Sequence, residues 1–116
     1  AFARLARQHP GSPYVPDAIQ RTQKARQILA RHELVVARYY FQRGAFVAAA
    51  NRCQRIVGRF QDTGTVEPAL GLLARSYAEL RLPTLASDIT AILKHNFPDS
   101  EYLGQARSAV RSLEAG

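Results

Sequence analysis

The stretch Val36-Ala37-Arg38-Tyr39-Tyr40-Phe41-Gln42-Arg43-Gly44-Ala45-Phe46-Val47-Ala48-Ala49-Ala50-Asn51-Arg52-Cys53 contains a helix end, a stop and a helix start. Gly44 supplies the positive φ of a helix C-terminus and the next helix begins at once, which makes an antiparallel αα-hairpin. Upstream, residues 17–43 hold no Pro or Gly, and Ala18, Thr22, Ala25, Leu29, Val36 and Tyr40 share one face. At 1.5 Å per residue this predicts a helix about 40 Å long. His32 falls in that apolar stripe, which leaves open a bend near Arg31 and His32. Asp17 reads as the N-cap, with Pro16 fixing the approach.

Working outward, the apolar period stays at 3.6 residues and no segment alternates like a half-buried strand. Phe46, Ala49/Ala50, Cys53, Ile56/Val57 and Phe60 form one stripe. Val66, Ala69/Leu70, Leu73, Tyr77 and Leu80 form a second, Leu82, Leu85/Ala86, Ile89 and Ile92/Leu93 a third, and Tyr102/Leu103, Ala106, Ala109/Val110 and Leu113 a fourth. Between the helices one phrase recurs in three versions: His9-Pro10-Gly11-Ser12-Pro13-Tyr14, Phe60-Gln61-Asp62-Thr63-Gly64-Thr65 and Phe97-Pro98-Asp99-Ser100-Glu101-Tyr102. Each is expected to close one helix and cap the next, with Ser, Thr or Asp accepting free N–H groups of the incoming turn.

The chain has 116 residues, 47% hydrophobic, with seven Gly, six Pro and one Cys. That length suits one domain, and the composition is neither disordered nor fibrous. A lone cysteine excludes an internal disulfide or a CxxC clasp, and Cys53 on the apolar stripe reads as a packed small hydrophobe. The run at residues 45–50 is far below the ~18–20 apolar residues needed to span a bilayer. The chain opens in helical rhythm without an initiator Met, and is read as a soluble piece cut from a longer protein. No HExxH, Walker A, GxSxG or GxGxxG signature occurs, and His9, His32 and His95 fall on three different elements. No enzyme activity, metal or cofactor is expected.

Charge is uneven. The net +7 arises from +9 over residues 1–59, where eleven Lys/Arg face only Asp17 and Glu33, and −2 over the remainder. Arg52, Arg55 and Arg59, at i, i+3 and i+7, form a basic ridge opposite Phe46, Cys53 and Val57. No acid lies inside that helix, although Asp62 is placed to pair with Arg59. One reading is a solvated helix face. The other is a docking ridge for carboxylates, extended by Arg43, since bidentate guanidinium suits an acidic protein surface. A phosphate backbone and anionic lipid headgroups are rival partners with the same charge, but no nucleic-acid-binding motif is present.

Ala37, Tyr40, Gly44, Phe46, Ala49, Cys53 and Ile56 resemble one tetratricopeptide repeat, and Leu73, Ala74, Tyr77, Ala86, Leu93 and Pro98 resemble the next. Gln61 replaces the closing Pro, Arg81 the Gly and Pro83 the aromatic, departures that loosen the assignment of the second repeat's turn but not its existence. The resemblance implies an all-α, right-handed α-solenoid of tetratricopeptide-type antiparallel helix hairpins with about five to six helices. Residues 1–116 then form a single domain, with the end of a preceding repeat helix at 1–10, hairpins at 17–60 and 66–97, and a capping helix at 100–114. More particularly, Ser12-Pro13-Tyr14 with Asp17-Ala18, and the run V-A-R-Y-Y-x-x-R-G-A-F-x-A-A-x-N-R ending at Arg52, resemble the C-terminal half of the BamD (ComL) family of outer-membrane assembly lipoproteins. That resemblance implies a non-enzymatic scaffold at the periplasmic face of the outer membrane, anchored by a lipid outside this stretch. It implies docking on the last POTRA domain of BamA, with BamE and other Bam lipoproteins as further partners. Arg52 is then the residue that pairs with an acid on BamA, and Arg55, Arg59, Arg43, Asn51 and Tyr39 complete the expected face.

Overall fold

The computed structural model describes residues 15–115 as five helices: α1 (Val15–Gln42), α2 (Phe46–Arg59), α3 (Val66–Glu79), α4 (Pro83–Asn96) and α5 (Leu103–Ala115). No strand occurs among the described residues. The expected helix at 1–10 and the first copy of the recurring phrase lie outside them. Each helix packs on the next, and α3 also touches α1 and α5. The result is a stacked all-α array measuring 60 × 28 × 20 Å. α3 is its central rod, buried almost continuously from Ala69 to Ala78.

α1 runs uninterrupted for 28 residues, so there is no break at His32, which is exposed. Asp17 is not the N-cap; the helix begins at Val15, and the Asp17 carboxylate sits in the first turn, where the helix dipole favours it. The packed row also differs from expectation. Ala30, Leu34 and Ala37 are buried, while Leu29 from the expected row is 55% exposed. α1 carries two apolar rows, and α2 selects the one whose small Ala30 and Ala37 let it approach closely with its own Ala49, Ala50 and Cys53. In the third stripe, likewise, Ala86 and Leu93 of α4 are buried whereas Leu82, just before the helix, and Leu85 and Ile92 are exposed.

The two hairpin turns are the same device made from different residues. Gly44 has φ +78°; its N–H donates to Phe41 O and the Ala45 N–H donates to Tyr40 O. At the second turn Arg81 takes φ +62°, with its N–H on Ala78 O and the Leu82 N–H on Tyr77 O. The second repeat's turn, where Arg81 and Pro83 depart from the repeat pattern, is therefore present and closed by the same pair of bonds as the first, at a cost of roughly 1 kcal/mol for a non-Gly residue in the left-handed region. Pro83 starts α4, where a missing N–H costs nothing.

The inter-repeat loops also match each other. Thr63 N–H donates to Phe60 O, and Ser100 N–H to Phe97 O. Ser100 Oγ accepts from the Tyr102 N–H as expected of a cap, but Thr63 Oγ1 donates back to Phe60 O and Thr65 makes no side-chain cap bond.

Gly71 marks a close approach between α3 and the entry to α5: a Cβ there would lie 2.7 Å from the Tyr102 Cβ. Gly71→Ala is expected to destabilise the protein by about 1–3 kcal/mol through overpacking, against the ~1 kcal/mol that Ala's helix propensity returns. Urea unfolding checks this. Unchanged or raised stability would mean that α5 simply steps aside.

Candidate protein-docking face

α2 turns Ala49, Ala50, Cys53 and Ile56 into the core, which leaves its arginines at the margin and on the outer surface. Two of them converge on one carboxylate of α1. Arg52 Nη1 donates to Glu33 Oε2 at 3.1 Å and Oε1 at 3.3 Å, and Arg55 Nη1 lies 3.8 Å from Glu33 Oε1. The ridge is therefore not unneutralised, as the helix's own sequence suggests. Glu33 holds two guanidiniums, and its side chain is 19% exposed against 31% for Arg52 and 49% for Arg55. Its hydrogen bond and charge raise the Arg52 pKa above the ordinary arginine value despite partial desolvation, with a smaller contribution from Tyr40.

Glu33 and Tyr40 are the site residues missed by reading α2 alone. A signal for Glu33 exists in the hairpin, because residues equidistant from the turn face each other, and Glu33 and Arg55 each stand eleven residues from Gly44.

The remaining expected residues divide. Arg43 lies over the Tyr39 ring, 4.7 Å from its centroid, and Tyr39 meets Tyr40 edge-on at 5.9 Å. Tyr40 thus links Arg43 and Tyr39 to the Arg52 group. Asn51 is exposed and makes no side-chain hydrogen bond among the described residues. Arg59 does not pair with Asp62. Arg26 takes that carboxylate, with Nη2 to Oδ1 at 2.7 Å and Nε to Oδ2 at 3.0 Å. The same guanidinium donates to the Arg59 carbonyl at the end of α2 and rests 5.2 Å from the Phe60 centroid. Arg26 thereby ties α1 to the α2–α3 loop and satisfies an orphan carbonyl.

The Arg26 hydrogen bond holds the Asp62 carboxyl below its ordinary value. A depressed carboxyl pKa contributes stability that is present above the unfolded Asp value, about 3.9, and lost as pH falls through the folded value. The Tm gap between wild type and Asp62→Asn is therefore expected to be larger at pH 6 than at pH 2 in thermal melts. An equal gap at both pH values would show that the bridge adds nothing.

Burial pushes the Cys53 thiol up to about 12, with the Arg38 charge opposing. Protonated and fully buried, it is a packing residue, as its place on the stripe implies. His32 and His95 are exposed. Among the described residues no cluster of three or more His, Cys, Asp or Glu is placed to hold a metal, and no helix is long and apolar enough to cross a membrane.

Comparison with known proteins places these features in a family. The family described as "YfiO: Outer membrane lipoprotein" matches residues 1–92. "Outer membrane protein assembly factor BamD" of Neisseria meningitidis serogroup B (strain ATCC BAA-335 / MC58) is 46% identical over 105 residues, covering 90% of this chain and 39% of the relative. The protein of that name from Neisseria gonorrhoeae is 44% identical over 106 residues, 91% of this chain and 40% of the relative. That from Pasteurella multocida (strain Pm70) is 38% identical over 95 residues, 82% of this chain and 36% of the relative. The chain spans about two fifths of the length of these curated relatives. With a stacked-hairpin fold and matches of this extent, the chain belongs to the YfiO (BamD) family of outer membrane lipoproteins.

Proposed function

We propose that this chain is a non-enzymatic scaffold of the machinery that folds and inserts β-barrel proteins into the outer membrane, working at its periplasmic face. Its mechanism is positional. Stacked hairpins hold a rigid basic face against the last POTRA domain of BamA, and neighbouring surfaces meet BamE and other lipoprotein partners. The supporting observation is the convergence of Arg52 and Arg55 on Glu33. One carboxylate fixes both guanidiniums in place, yet a positive charge is left over, with Arg55 half exposed. A preorganised cation at a helix–helix junction pairs with a partner carboxylate at little ordering cost. Arg43, Arg59, Tyr39 and Asn51 surround it as the rim.

The test is a calorimetric titration of the chain with a POTRA-containing fragment of BamA, run beside duplex DNA and anionic vesicles. Saturable binding to the POTRA fragment alone supports the reading. Tighter binding to DNA or to vesicles replaces it.

A further inference from the structure

α5 follows residue 92, where the match to the family ends. Its inward face closes the stack, with Leu103 and Ala106 buried against Leu70 and Ala74 of α3 and Leu93 of α4. Its flank makes something else. There α5 and α4 enclose a cleft of about 200 Å³, lined by Ser87 and Thr90 on α4 and by Arg107, Val110, Arg111 and Glu114 on α5. Neither α1 nor α2 is a neighbour of α5, so this cleft is remote from the Arg52 face.

Arg107 and Arg111 stand one turn apart, an i, i+4 pair of like charges that is unfavourable on a helix surface. Both are exposed, and neither forms an ion pair among the described residues. Glu114, the one carboxylate in the lining, is not within ion-pair distance of either. The two hydroxyls across the cleft differ. Thr90 Oγ1 donates its proton to the Ala86 carbonyl at 2.8 Å, whereas the Ser87 hydroxyl makes no hydrogen bond among the described residues and can donate to a ligand. Between the charges and the hydroxyls the half-buried Val110 supplies an apolar floor.

We infer that this cleft receives a Glu side chain of a partner protein, its carboxylate between the Arg107 and Arg111 guanidiniums, within reach of the Ser87 hydroxyl, and its methylenes on Val110. The protein builds the same arrangement once from its own residues: Glu33 is held across a helix junction by Arg52 and Arg55, one turn apart on α2. The α5 pair has that form with no acid between its members among the described residues. Charge selects the ligand class. Two guanidiniums and Glu114 sum to one positive charge, which a carboxylate balances, whereas a phosphate monoester carries about −1.5 to −2 at neutral pH and would meet Glu114 uncompensated. Donor count agrees, because a carboxylate accepts about four hydrogen bonds and takes guanidinium bidentately. Size agrees too: the cleft falls below the ~300–1,000 Å³ of small-molecule sites and suits a single side chain.

The probe is the capped peptide acetyl-Ala-Leu-Glu-Leu-Ala-amide, titrated into the chain while the arginine Nε–Hε signals are followed by NMR. Its Gln-for-Glu analogue and inorganic phosphate are parallel arms, and circular dichroism confirms that each variant is folded. Saturable shifts at Arg107 and Arg111 are expected with a Kd in the millimolar range. Arg111→Gln is expected to weaken binding about threefold, the size of one exposed charge pair, and Arg107→Gln combined with Arg111→Gln roughly tenfold. Glu114→Gln removes the opposing charge and should tighten the peptide about twofold. Arg52→Gln, on the remote face, should bind as wild type. Absence of saturable shifts at the two arginines, equal binding of the Gln peptide, undiminished affinity in the double variant, or tighter binding of phosphate than of the peptide would each overturn the proposal. The POTRA reading rests on α1 and α2, so either proposal can fail alone.

Discussion

Arg52→Glu is expected to weaken binding to the BamA POTRA fragment on the order of thirtyfold or more, the range seen when one member of a hydrogen-bonded interfacial charge pair is removed. The substitution also sets a new carboxylate against Glu33, which Arg52 now contacts at 3.1 Å, so some stability is lost as well. Two further variants separate the effects. Glu33→Arg combined with Arg52→Glu restores an internal pair and therefore the melting temperature, but leaves the positive charge on α1, so binding stays weak. Glu33→Gln removes the carboxylate that fixes Arg52 and Arg55 in place, and is expected to weaken binding severalfold through lost preorganisation. Undiminished affinity of Arg52→Glu in a calorimetric titration would remove Arg52 from the interface. Recovery of binding in the double variant would show that net charge, and not the position of Arg52, is what the partner reads.

Ala49→Arg is expected to abolish the cooperative thermal melt. Ala49 is 0% exposed on the face of α2 that meets the core. A guanidinium there overpacks the interface and has no carboxylate within the core to pair with. Overpacking alone costs about 1–3 kcal/mol, and a buried unpaired charge adds several more. Small domains are stable by only ~5–15 kcal/mol in total. Val47→Arg, two residues away at a position 60% exposed, is the matched control and should change stability by less than about 0.5 kcal/mol. If both variants melt alike, the rotational phase of α2 is wrong and the Arg52 face with it.

The two outcomes bear on each other because one helix carries both faces. α2 has apolar residues at 46, 49, 50, 53, 56 and 57 and arginines at 52, 55 and 59. Fixing Ala49 and Cys53 in the core fixes the arginines at the margin. This much is legible in the sequence, since the 3.6-residue period is a local property of backbone dihedrals and capping residues. For the same reason the helix punctuation at Gly44, the Phe60 to Thr65 loop and the Phe97 to Tyr102 loop could be read along the chain, as could the burial of Cys53.

α1 is less legible because it offers more than one apolar row. Leu29, Val36 and Tyr40 make as good a stripe as Ala30, Leu34 and Ala37, and periodicity has no means of ranking them. The small side chains of the second row win because two helices bury more surface when their backbones come close. Arg81 is a similar case. Its residue type argues against a left-handed turn, but the Tyr77, Ala78 and Leu82 hydrogen bonds of the hairpin impose φ +62° on it.

The sequence by itself determined an all-helical stack, the hairpin boundaries of α2 to α5, the inward face of α2 and the concentration of positive charge in the first half. Tertiary structure decided which charges are spoken for. Glu33 reaches Arg52 across 19 residues of sequence, and Asp62 is claimed by Arg26 across 36 and so lost to Arg59. It also decided that Arg31 and Arg75 line two neighbouring clefts that share Arg38, and that Gly71 must lack a side chain to admit Tyr102. The physical reason is one of range. Helix formation is governed by neighbours three or four residues away, whereas the partner of a side chain depends on where the crossing of two helices places a distant residue.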